Sequence, residues 1–254
     1  MVTLLLKKSY RHKDLKIINF NDLWNAHGVF TTMRVFRNSR KILFFKEHIS
    51  NLIKSSKIYN IHRKNLKKDI LNLIKLNLKI NKNDQLLRVA INNKIISISL
   101  RNRILPKLNF KLKLVNYKRV EAKYKNLRYK KIFNILNKLN TTKFDIALYK
   151  NKKLLETGTS NLLFIKNNKI YSPKKDFYKG TTLKFFSGKI KINFTNIFLK
   201  NLMNYDEILI IGSGKGVVST SSIENTNWKR KSVKFYNKFL KIFNADIKKI
   251  KNNI

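Results

Sequence analysis

Cysteine is absent from this chain of 254 residues, which excludes disulfide bonds, thiolate metal ligands and a cysteine nucleophile. No run of eighteen apolar residues occurs, which argues against a membrane span. The N-terminus lacks the small-residue cleavage site of a signal peptide. No histidine stands in a metal-type pair with a nearby acid, so we expect no metal site; the four are His12, His27, His48 and His62. These absences favour a cytoplasmic protein with no membrane partner.

Acidic residues are also scarce, with 13 Asp and Glu against 57 Lys and Arg and a formal net charge of +44. Such a charge suggests binding to nucleic-acid phosphates. A nucleic-acid-binding protein would cluster its basic residues, whereas here they are spread along every segment from Lys7 to Lys251. Lysine is abundant together with Asn, Ile, Phe and Tyr, as an A/T-rich genome would produce. We favour this compositional interpretation and expect no specific nucleic-acid partner.

The apolar pattern predicts a folded first half of the chain. The hydrophobic fraction is 43% and the aromatic fraction 11%, which is typical of a globular protein. "GVFTTMRVFR" at residues 28–37 predicts a strand, and "KILFF" is expected to return antiparallel to it. Helical spacing of apolar residues begins at Glu47 and recurs over residues 64–80. "QLLRVAINNKIISISL" predicts a hairpin that turns at Asn92 and Asn93, and "KLNFKLKLVNY" predicts another strand.

A break in the pattern at "KRVEAKYK" divides the chain into two predicted domains. We place a small N-terminal α/β domain at residues 1–117 and a larger C-terminal domain, carrying the cofactor site described below, at 118–254. The larger domain is predicted to hold an amphipathic helix over 127–139, a hairpin turning at Asn167 and Asn168, a helix after Gly180 and a tail helix from Lys231. Helices and mixed strands interleave in both halves, which predicts an α+β fold.

Four segments stand out against the lysine-rich background: "HGVFTTMRV", "KYKNLRY", "LLETGTSNLLF" with "YKGTTL" downstream, and "IGSGKGVV". Gly/Ser/Thr turns after strands can hold a phosphate through hydroxyl and backbone N–H groups, although glycine is also common in turns for conformational reasons alone. Taken in order, the segments resemble the class IV aminotransferase family, the fold-type IV pyridoxal-phosphate enzymes. The family blocks "G-x-F-[EST]-T-x-R", "H-x-x-R-L" and "E-x-x-x-S-N-[LV]-F" correspond to "GVFTTMR", "HISNL" and "ETGTSNLLF". The resemblance implies a two-domain fold whose larger domain is a mixed, β-barrel-like structure.

This resemblance implies pyridoxal 5'-phosphate as the cofactor and a homodimer as the assembly. Lys125 corresponds to the lysine that bonds covalently to the cofactor, with Lys123 as the rival position. Glu156 corresponds to the glutamate that keeps the pyridine nitrogen protonated, so that the ring can withdraw electrons from the substrate carbon. The other implied cofactor-binding residues are Ser160 and Asn161 beside the ring, and Thr181, Thr182, Ser213 and Gly214 around the phosphate.

The sequence departs from the family pattern at one phosphate ligand, because the arginine of "H-x-x-R-L" is replaced by Asn51. A neutral amide is a weaker phosphate ligand than a guanidinium. "VFTTMRV" and the short chain resemble the lyase branch of the family, which converts 4-amino-4-deoxychorismate to 4-aminobenzoate and pyruvate in folate synthesis. That branch implies a threonine that assists proton transfer, Thr32 or its neighbour Thr31. The alternative is an aminotransferase acting on branched-chain or D-amino acids.

Overall fold

The computed structural model describes residues 4–254 and divides the chain into two compact units. The first comprises the chain up to Arg103 together with Tyr124–Lys130 and Lys249–Ile254, and the second comprises Ile104–Lys123 and Lys131–Lys248. The chain therefore passes between the units more than once, which differs from the single predicted cut between residues 117 and 118. The reason is backbone pairing between distant parts of the chain. Asn126 bridges to Val29 in the first unit, whereas the strand at Phe110–Asn116 joins the sheet of the second unit.

The first unit is a five-stranded antiparallel sheet with two helices. Its strands run in the spatial order β2-β1-β5-β4-β3. Its elements in chain order are β1 (Leu4–Arg11), β2 (Ile17–Ile18), β3 (Val29–Val35), α1 (Phe45–Ile58), α2 (Leu66–Asn77), β4 (Gln85–Ile91) and β5 (Ile95–Asn102). The predicted strand at 28–37 and the predicted hairpin are thus β3, β4 and β5.

Side chains alternate between the two faces of this sheet, and this alternation separates the core from a second, more polar face. Met33 and Val35 of β3 pack in one hydrophobic core with Ile49 of α1 and Ile70 of α2. Phe30, Thr32 and Arg34 of the same strand lie on the opposite face. The two neighbouring threonines of "FTT" therefore point to different faces.

Two turns of the first unit differ in part from the prediction. "KILFF" returns antiparallel to β3 as predicted, through an Ile42–Val35 bridge flanked by two backbone hydrogen bonds, but it is too short to form a strand. Phe44, with φ 52°, ends the return and turns the chain into α1. The predicted hairpin turn is present, but its asparagines do not adopt the left-handed backbone conformation. The Asn92 side chain accepts hydrogen bonds from the backbone N–H groups of Lys94 and Ile95 at 2.9 and 2.7 Å, and these bonds hold the turn.

The second unit is built on a nine-stranded mixed sheet in the order β11-β10-β9-β13-β14-β6-β7-β8-β12. Trp228 is fully buried in its core, and the indole N–H donates to the Tyr205 carbonyl at 2.9 Å. The elements in chain order are β6 (Phe110–Asn116), α3 (Lys130–Asn137), β7 (Phe144–Lys150), β8 (Lys153–Thr157), β9 (Asn161–Lys166), β10 (Lys169–Pro173), α4 (Thr181–Ser187), β11 (Asn193–Thr195), β12 (Ile197–Phe198), a 3₁₀ helix (Leu199–Asn204), β13 (Glu207–Gly212), β14 (Gly216–Ile223) and α5 (Lys234–Lys248).

The predicted elements of the second half are present with shorter helices than expected. The helix predicted over 127–139 is α3, which covers only Lys130–Asn137, because Asn126 and Leu127 pair with the edge of β3 instead. Asn167 and Asn168 both take positive φ, 49° and 56°, as the predicted hairpin turn requires. The α+β class is confirmed. Within residues 4–254, no helix is both long and apolar enough to cross a membrane.

Candidate active site

Glu156 lies in β8 with its carboxylate buried and fixed by a second buried side chain, Arg119. The Arg119 Nε donates to Oε1 at 2.7 Å and Nη2 donates to Oε2 at 3.3 Å, while the backbone N–H of Tyr178 reaches Oε2 at 3.3 Å. Arg119 also donates from Nη2 to the Ala122 carbonyl at 2.9 Å. Only 3% of Arg119 and 5% of Glu156 are exposed, so water screens this ion pair very little. The sequence prediction missed Arg119, because nothing distinguishes it among 57 basic residues.

Asn161 holds the segment that leads into α4. Its side-chain Nδ2 donates to the Tyr178 carbonyl at 2.6 Å, and its Oδ1 accepts the Gly180 N–H at 3.1 Å. A Cβ atom at Gly180 would stand 2.7 Å from that same oxygen, so this pair of hydrogen bonds requires a glycine at position 180. Asn161 therefore aligns the residues on either side of Gly180. Among these residues, burial raises the pKa of the Tyr178 phenol, while the positive charge of Arg119 acts to lower it.

The predicted phosphate ligands of the second unit lie at the start of α4 and in the β13–β14 turn, and the structure brings these two places together. The hydroxyl oxygens of Thr182 in α4 and Ser213 in the β13–β14 turn are 3.2 Å apart, and both residues are buried, as is Thr181. Gly214 follows Ser213 in the same turn. A Cβ atom at Gly212 would stand 2.6 Å from the Ser160 hydroxyl, so Ser160 also contacts this turn. The structure thus groups two hydroxyls that could donate to a phosphate.

A buried ion pair stabilises these turns, and the sequence prediction missed it. Asp145 in β7 is fully buried, and its Oδ2 accepts from the Lys215 ammonium at 2.9 Å and from the Thr159 hydroxyl at 2.9 Å. Lys215 belongs to the β13–β14 turn, whereas Thr159 belongs to the β8–β9 turn. One carboxylate therefore ties together the two Gly/Ser/Thr turns. An acid within the apolar strand "FDIALY" was the available sequence signal.

Lys125 lies in the first unit, in a short segment that runs beside β3. Its carbonyl accepts the Phe30 N–H at 2.9 Å, and Leu127 donates its N–H to the Gly28 carbonyl at 2.9 Å. A Cβ atom at Gly28 would stand 2.3 Å from the Ile91 carbonyl oxygen and 2.7 Å from Leu127, so only glycine permits this close packing. The Lys125 ammonium is 5.1 Å from the centroid of the Phe30 ring, and Lys125 as a residue is partly buried.

The two threonines of "FTT" have different partners. Thr31 is buried and its hydroxyl oxygen lies 2.8 Å from Nδ1 of His48 in α1, with the donor set by the histidine tautomer. Thr32 shares its face of the sheet with Phe30, the residue that contacts Lys125. Asn51 lies in α1, one turn after His48. Thr32 therefore stays the predicted proton-transfer residue, and Thr31 has a structural partner.

A comparison with known protein families covers the part of the chain that contains all of these site residues. The chain matches the model of the family described as amino-transferase class IV over residues 28–223. The chain belongs to the class IV aminotransferase family. This confirms the predicted family and identifies the protein as an enzyme. Among curated protein sequences, no relative matches it significantly.

Solved structures share the fold of this class IV aminotransferase at low sequence identity. The branched-chain aminotransferase of Thermoproteus uzoniensis aligns with a TM-score of 0.75 and 14% identity over 94% of this chain and 93% of that one. A Brucella abortus aminotransferase bound to pyridoxal phosphate gives 0.72 and 14%, covering 95% and 98%. A candidate 4-amino-4-deoxychorismate lyase from Legionella pneumophila gives 0.68 and 19%, covering 87% and 91%. These similarities confirm the fold and leave the reaction open.

Within this class IV aminotransferase fold, His48 is a buried, uncharged histidine. Burial is the main cause that lowers the pKa of its imidazole to about 3, and the Lys125 charge lowers it further. The ring is therefore neutral at physiological pH, and it presents no positive charge to Lys125.

We expect His48 to make the folded protein sensitive to moderate acid. Between pH 6.5 and 3 the unfolded chain binds a proton at His48 that the folded chain does not, so the free energy of unfolding falls by up to about 1.4 kcal/mol per pH unit. Urea unfolding at several values between pH 6.5 and 4.5 would measure this slope. In His48→Gln the slope should become shallower by about this amount.

The matched control for this measurement is His12→Gln. Burial, and then the Arg63 charge, also lower the pKa of His12, so this histidine contributes in the same direction but from a different site. The two substitutions should therefore act additively. An unchanged slope in His48→Gln would show that the histidine is protonated in the folded state.

Proposed function

We propose that this protein is a pyridoxal-phosphate-dependent 4-amino-4-deoxychorismate lyase that forms 4-aminobenzoate and pyruvate for folate synthesis. The choice of reaction rests on the position of Thr32. This residue lies on the same face of the sheet as Phe30, and the Lys125 ammonium lies 5.1 Å from the centroid of the Phe30 ring. A hydroxyl in this position can donate a proton to a leaving group, which an aminotransferase does not need. The Legionella relative, a candidate lyase, supports the same choice.

The residues present fit pyridoxal phosphate. Glu156 offers the pyridine nitrogen a carboxylate with a fixed orientation, because Arg119 holds both of its oxygens. Thr182 and Ser213 offer a phosphate two hydroxyl donors 3.2 Å apart. Lys125 offers the amine that bonds to the aldehyde carbon. When bound, the cofactor supplies an electron sink for negative charge at the substrate carbon.

Each of these residues then has a chemical role in the proposed lyase. Lys125 removes the proton from the ring carbon that bears nitrogen, and the bond between the adjacent ring carbon and the ether oxygen breaks, so that this oxygen leaves with the enolpyruvyl group. Thr32 assists proton delivery to the departing group, which leaves as the enol of pyruvate. The loss of one proton and one enolate turns the cyclohexadiene ring into an aromatic ring, so no oxidant and no second substrate is required. Glu156, held by Arg119, maintains the protonated pyridine nitrogen.

The lyase reaction should release pyruvate in the absence of any 2-oxo acid acceptor. Purified protein with pyridoxal phosphate and 4-amino-4-deoxychorismate would be coupled to lactate dehydrogenase, and loss of NADH absorbance would report pyruvate. We expect pyruvate and 4-aminobenzoate in equal amounts. Thr32→Val should reduce the rate by about 10²-fold if its hydroxyl transfers a proton, and Thr31→Val is the matched control on the other face of the strand.

An aminotransferase is the second candidate, favoured by the higher TM-score of the Thermoproteus branched-chain enzyme over 94% of this chain. An aminotransferase would release no pyruvate from 4-amino-4-deoxychorismate alone. Turnover that requires 2-oxoglutarate and yields glutamate would establish this alternative and exclude the lyase.

A further inference from the structure

The two end strands of the nine-stranded sheet are joined by a single residue, Asn196. β11 pairs with β10 and β12 pairs with β8, and these two strands stand at opposite ends of the strand order. β11 ends at Thr195 and β12 begins at Ile197, and residues two apart in a chain are at most about 7 Å apart. The sheet must therefore curl until its two edges are neighbours. We call this meeting place the seam.

A cavity of about 150 Å³ lies at the seam. Its walls come from the β7–β8 turn, the loop after β10, the link between β11 and β12, and Lys118. Leu155 also lines it and is the extra residue of a bulge, because Leu154 and Glu156 pair with adjacent residues of β7 and leave Leu155 without a partner there. A bulge locally disrupts the strand ladder. None of the residues assigned to the cofactor lines this cavity.

Ammonium groups surround the seam cavity. Its lining includes one acid, Asp176, and five lysines, which are Lys118, Lys150, Lys153, Lys174 and Lys175. The acid already has a partner, because its Oδ1 accepts from the Lys118 ammonium at 3.2 Å. Within residues 4–254, Lys150, Lys174 and Lys175 form no ion pair. Charges of one sign around a concave surface concentrate counter-ions inside it, so the cavity attracts anions.

The chemistry of the lining indicates a compact phosphate anion. A lysine ammonium binds phosphate as a point charge, whereas a planar carboxylate is bound best by the fork of an arginine. In the part of the chain that the structure describes, no arginine and no aromatic residue lines the cavity. A carboxylate therefore lacks its preferred partner, and a nucleobase has no ring on which to stack. Asn151, Thr195 and Asn196 add amide and hydroxyl donors.

The size of the cavity limits the ligand further. Its volume equals that of about five water molecules in the liquid, whereas sites for drug-sized ligands have about 300–1,000 Å³. This volume suits a diphosphate group and is too small to enclose a whole nucleotide.

We propose that the seam cavity is a second anion site, separate from the cofactor site, and that it binds pyrophosphate or another small anion that carries a diphosphate group. Lys150, Lys174 and Lys175 bind the anion, while Asp176 competes with it for Lys118. This inference does not depend on the proposed reaction, because no residue with a role in that reaction lines the cavity.

Calorimetric titration with inorganic pyrophosphate tests the site. The full-length protein is first loaded with pyridoxal phosphate and freed of the excess, so that pyrophosphate does not compete for the hydroxyls of Thr182 and Ser213. Salt at about 0.15 M screens exposed charges that are more than about 8 Å apart, which suppresses attraction by the net charge of +44. Wild type should bind one pyrophosphate per chain, and more tightly than citrate, an anion of similar charge whose charged groups are all carboxylates.

The cavity variant replaces three lysines with glutamine: Lys150→Gln, Lys174→Gln and Lys175→Gln. It should weaken pyrophosphate binding by about 10-fold or more, the combined effect of three partly exposed ion pairs. The matched control removes the same charge from exposed positions of the second unit outside the cavity: Lys191→Gln, Lys200→Gln and Lys241→Gln. Its affinity should stay within about twofold of wild type, because salt screens these distant charges. Both variants should keep the melting temperature of wild type, since exposed side chains carry little of the stability.

Asp176→Asn should have the opposite effect and tighten pyrophosphate binding by up to about fivefold, because it releases Lys118 from an exposed ion pair. The φ of Asp176 is 65°, and asparagine tolerates this left-handed conformation as aspartate does, so the loop should keep its shape. If the triple lysine variant does not fold, the sign of the change in Asp176→Asn decides.

Absence of pyrophosphate binding to wild type would overturn the proposal. Equal binding of pyrophosphate and citrate, or equal weakening in the two triple variants, would do the same, since either result would show attraction by the net charge alone. A short single-stranded DNA that binds more tightly than pyrophosphate, and loses this affinity only in the cavity variant, would assign the cavity to nucleic acid instead. Failure of the lyase assay would change none of these results.

Discussion

Replacing Lys125 with alanine is expected to abolish covalent attachment of pyridoxal phosphate and to lower kcat by about 10³-fold or more. The physical reason is that one side chain supplies both the amine that holds the cofactor and the base that moves the substrate proton. Borohydride reduction of the wild-type protein, followed by peptide mapping, should locate the pyridoxyl group on Lys125. The visible absorbance of the cofactor-bound protein should be lost in Lys125→Ala.

Lys123→Ala is the matched control, since Lys123 is exposed whereas Lys125 is partly buried over Phe30. It should retain both the absorbance and the label. A pyridoxyl group found on Lys123 would shift the assignment by two residues and would leave Lys125 as a structural residue beside the Phe30 ring. Absence of label from both lysines would contradict the proposed cofactor chemistry altogether.

The sequence was most informative where an element has a regular apolar period or a turn with a specific backbone requirement. β3, β4, β5 and the hairpin at Asn167 and Asn168 follow from alternation and from asparagine turns alone. "KILFF" returns antiparallel to β3 as predicted, but only as far as Leu43, because the left-handed backbone at Phe44 turns the chain into α1 and a phenylalanine gives no sequence signal of that conformation. The predicted domain boundary also differs from the observed units, because a segment of seven residues pairs with a strand about 95 residues earlier in the chain.

The candidate site was predictable where an unusual residue type stood out. Glu156 was conspicuous as an acid in a basic chain, and the structure gives it a buried position with a defined partner. Arg119 and Lys215 could not be identified in the same way, because a basic residue is the commonest polar choice in this sequence. Their roles depend on burial and on which acid lies opposite, and these are properties of the tertiary structure rather than of any short segment.

Arg119→Met is expected to be among the most destabilising single substitutions in the second unit. It removes the guanidinium that binds both oxygens of the buried Glu156 carboxylate, and removing one partner of a buried ion pair typically costs about 3–5 kcal/mol. Urea unfolding without cofactor would measure the loss, which therefore does not depend on the proposed reaction. Arg119→Lys should lose less, because it keeps the charge but cannot bind both carboxylate oxygens.

The decisive control is the double variant Arg119→Met with Glu156→Gln. Each single change leaves one buried charge without its partner, whereas the double change removes both charges. The free energy of unfolding lost in the double variant should therefore be smaller than the sum of the two single losses by at least about 1 kcal/mol. Glu156→Gln should in addition weaken the electron sink, because a neutral amide holds the proton on the pyridine nitrogen less well than a carboxylate does. Strict additivity of the two stability losses would show that the pair is not coupled. Arg119 would then support the fold around Ala122 without controlling Glu156.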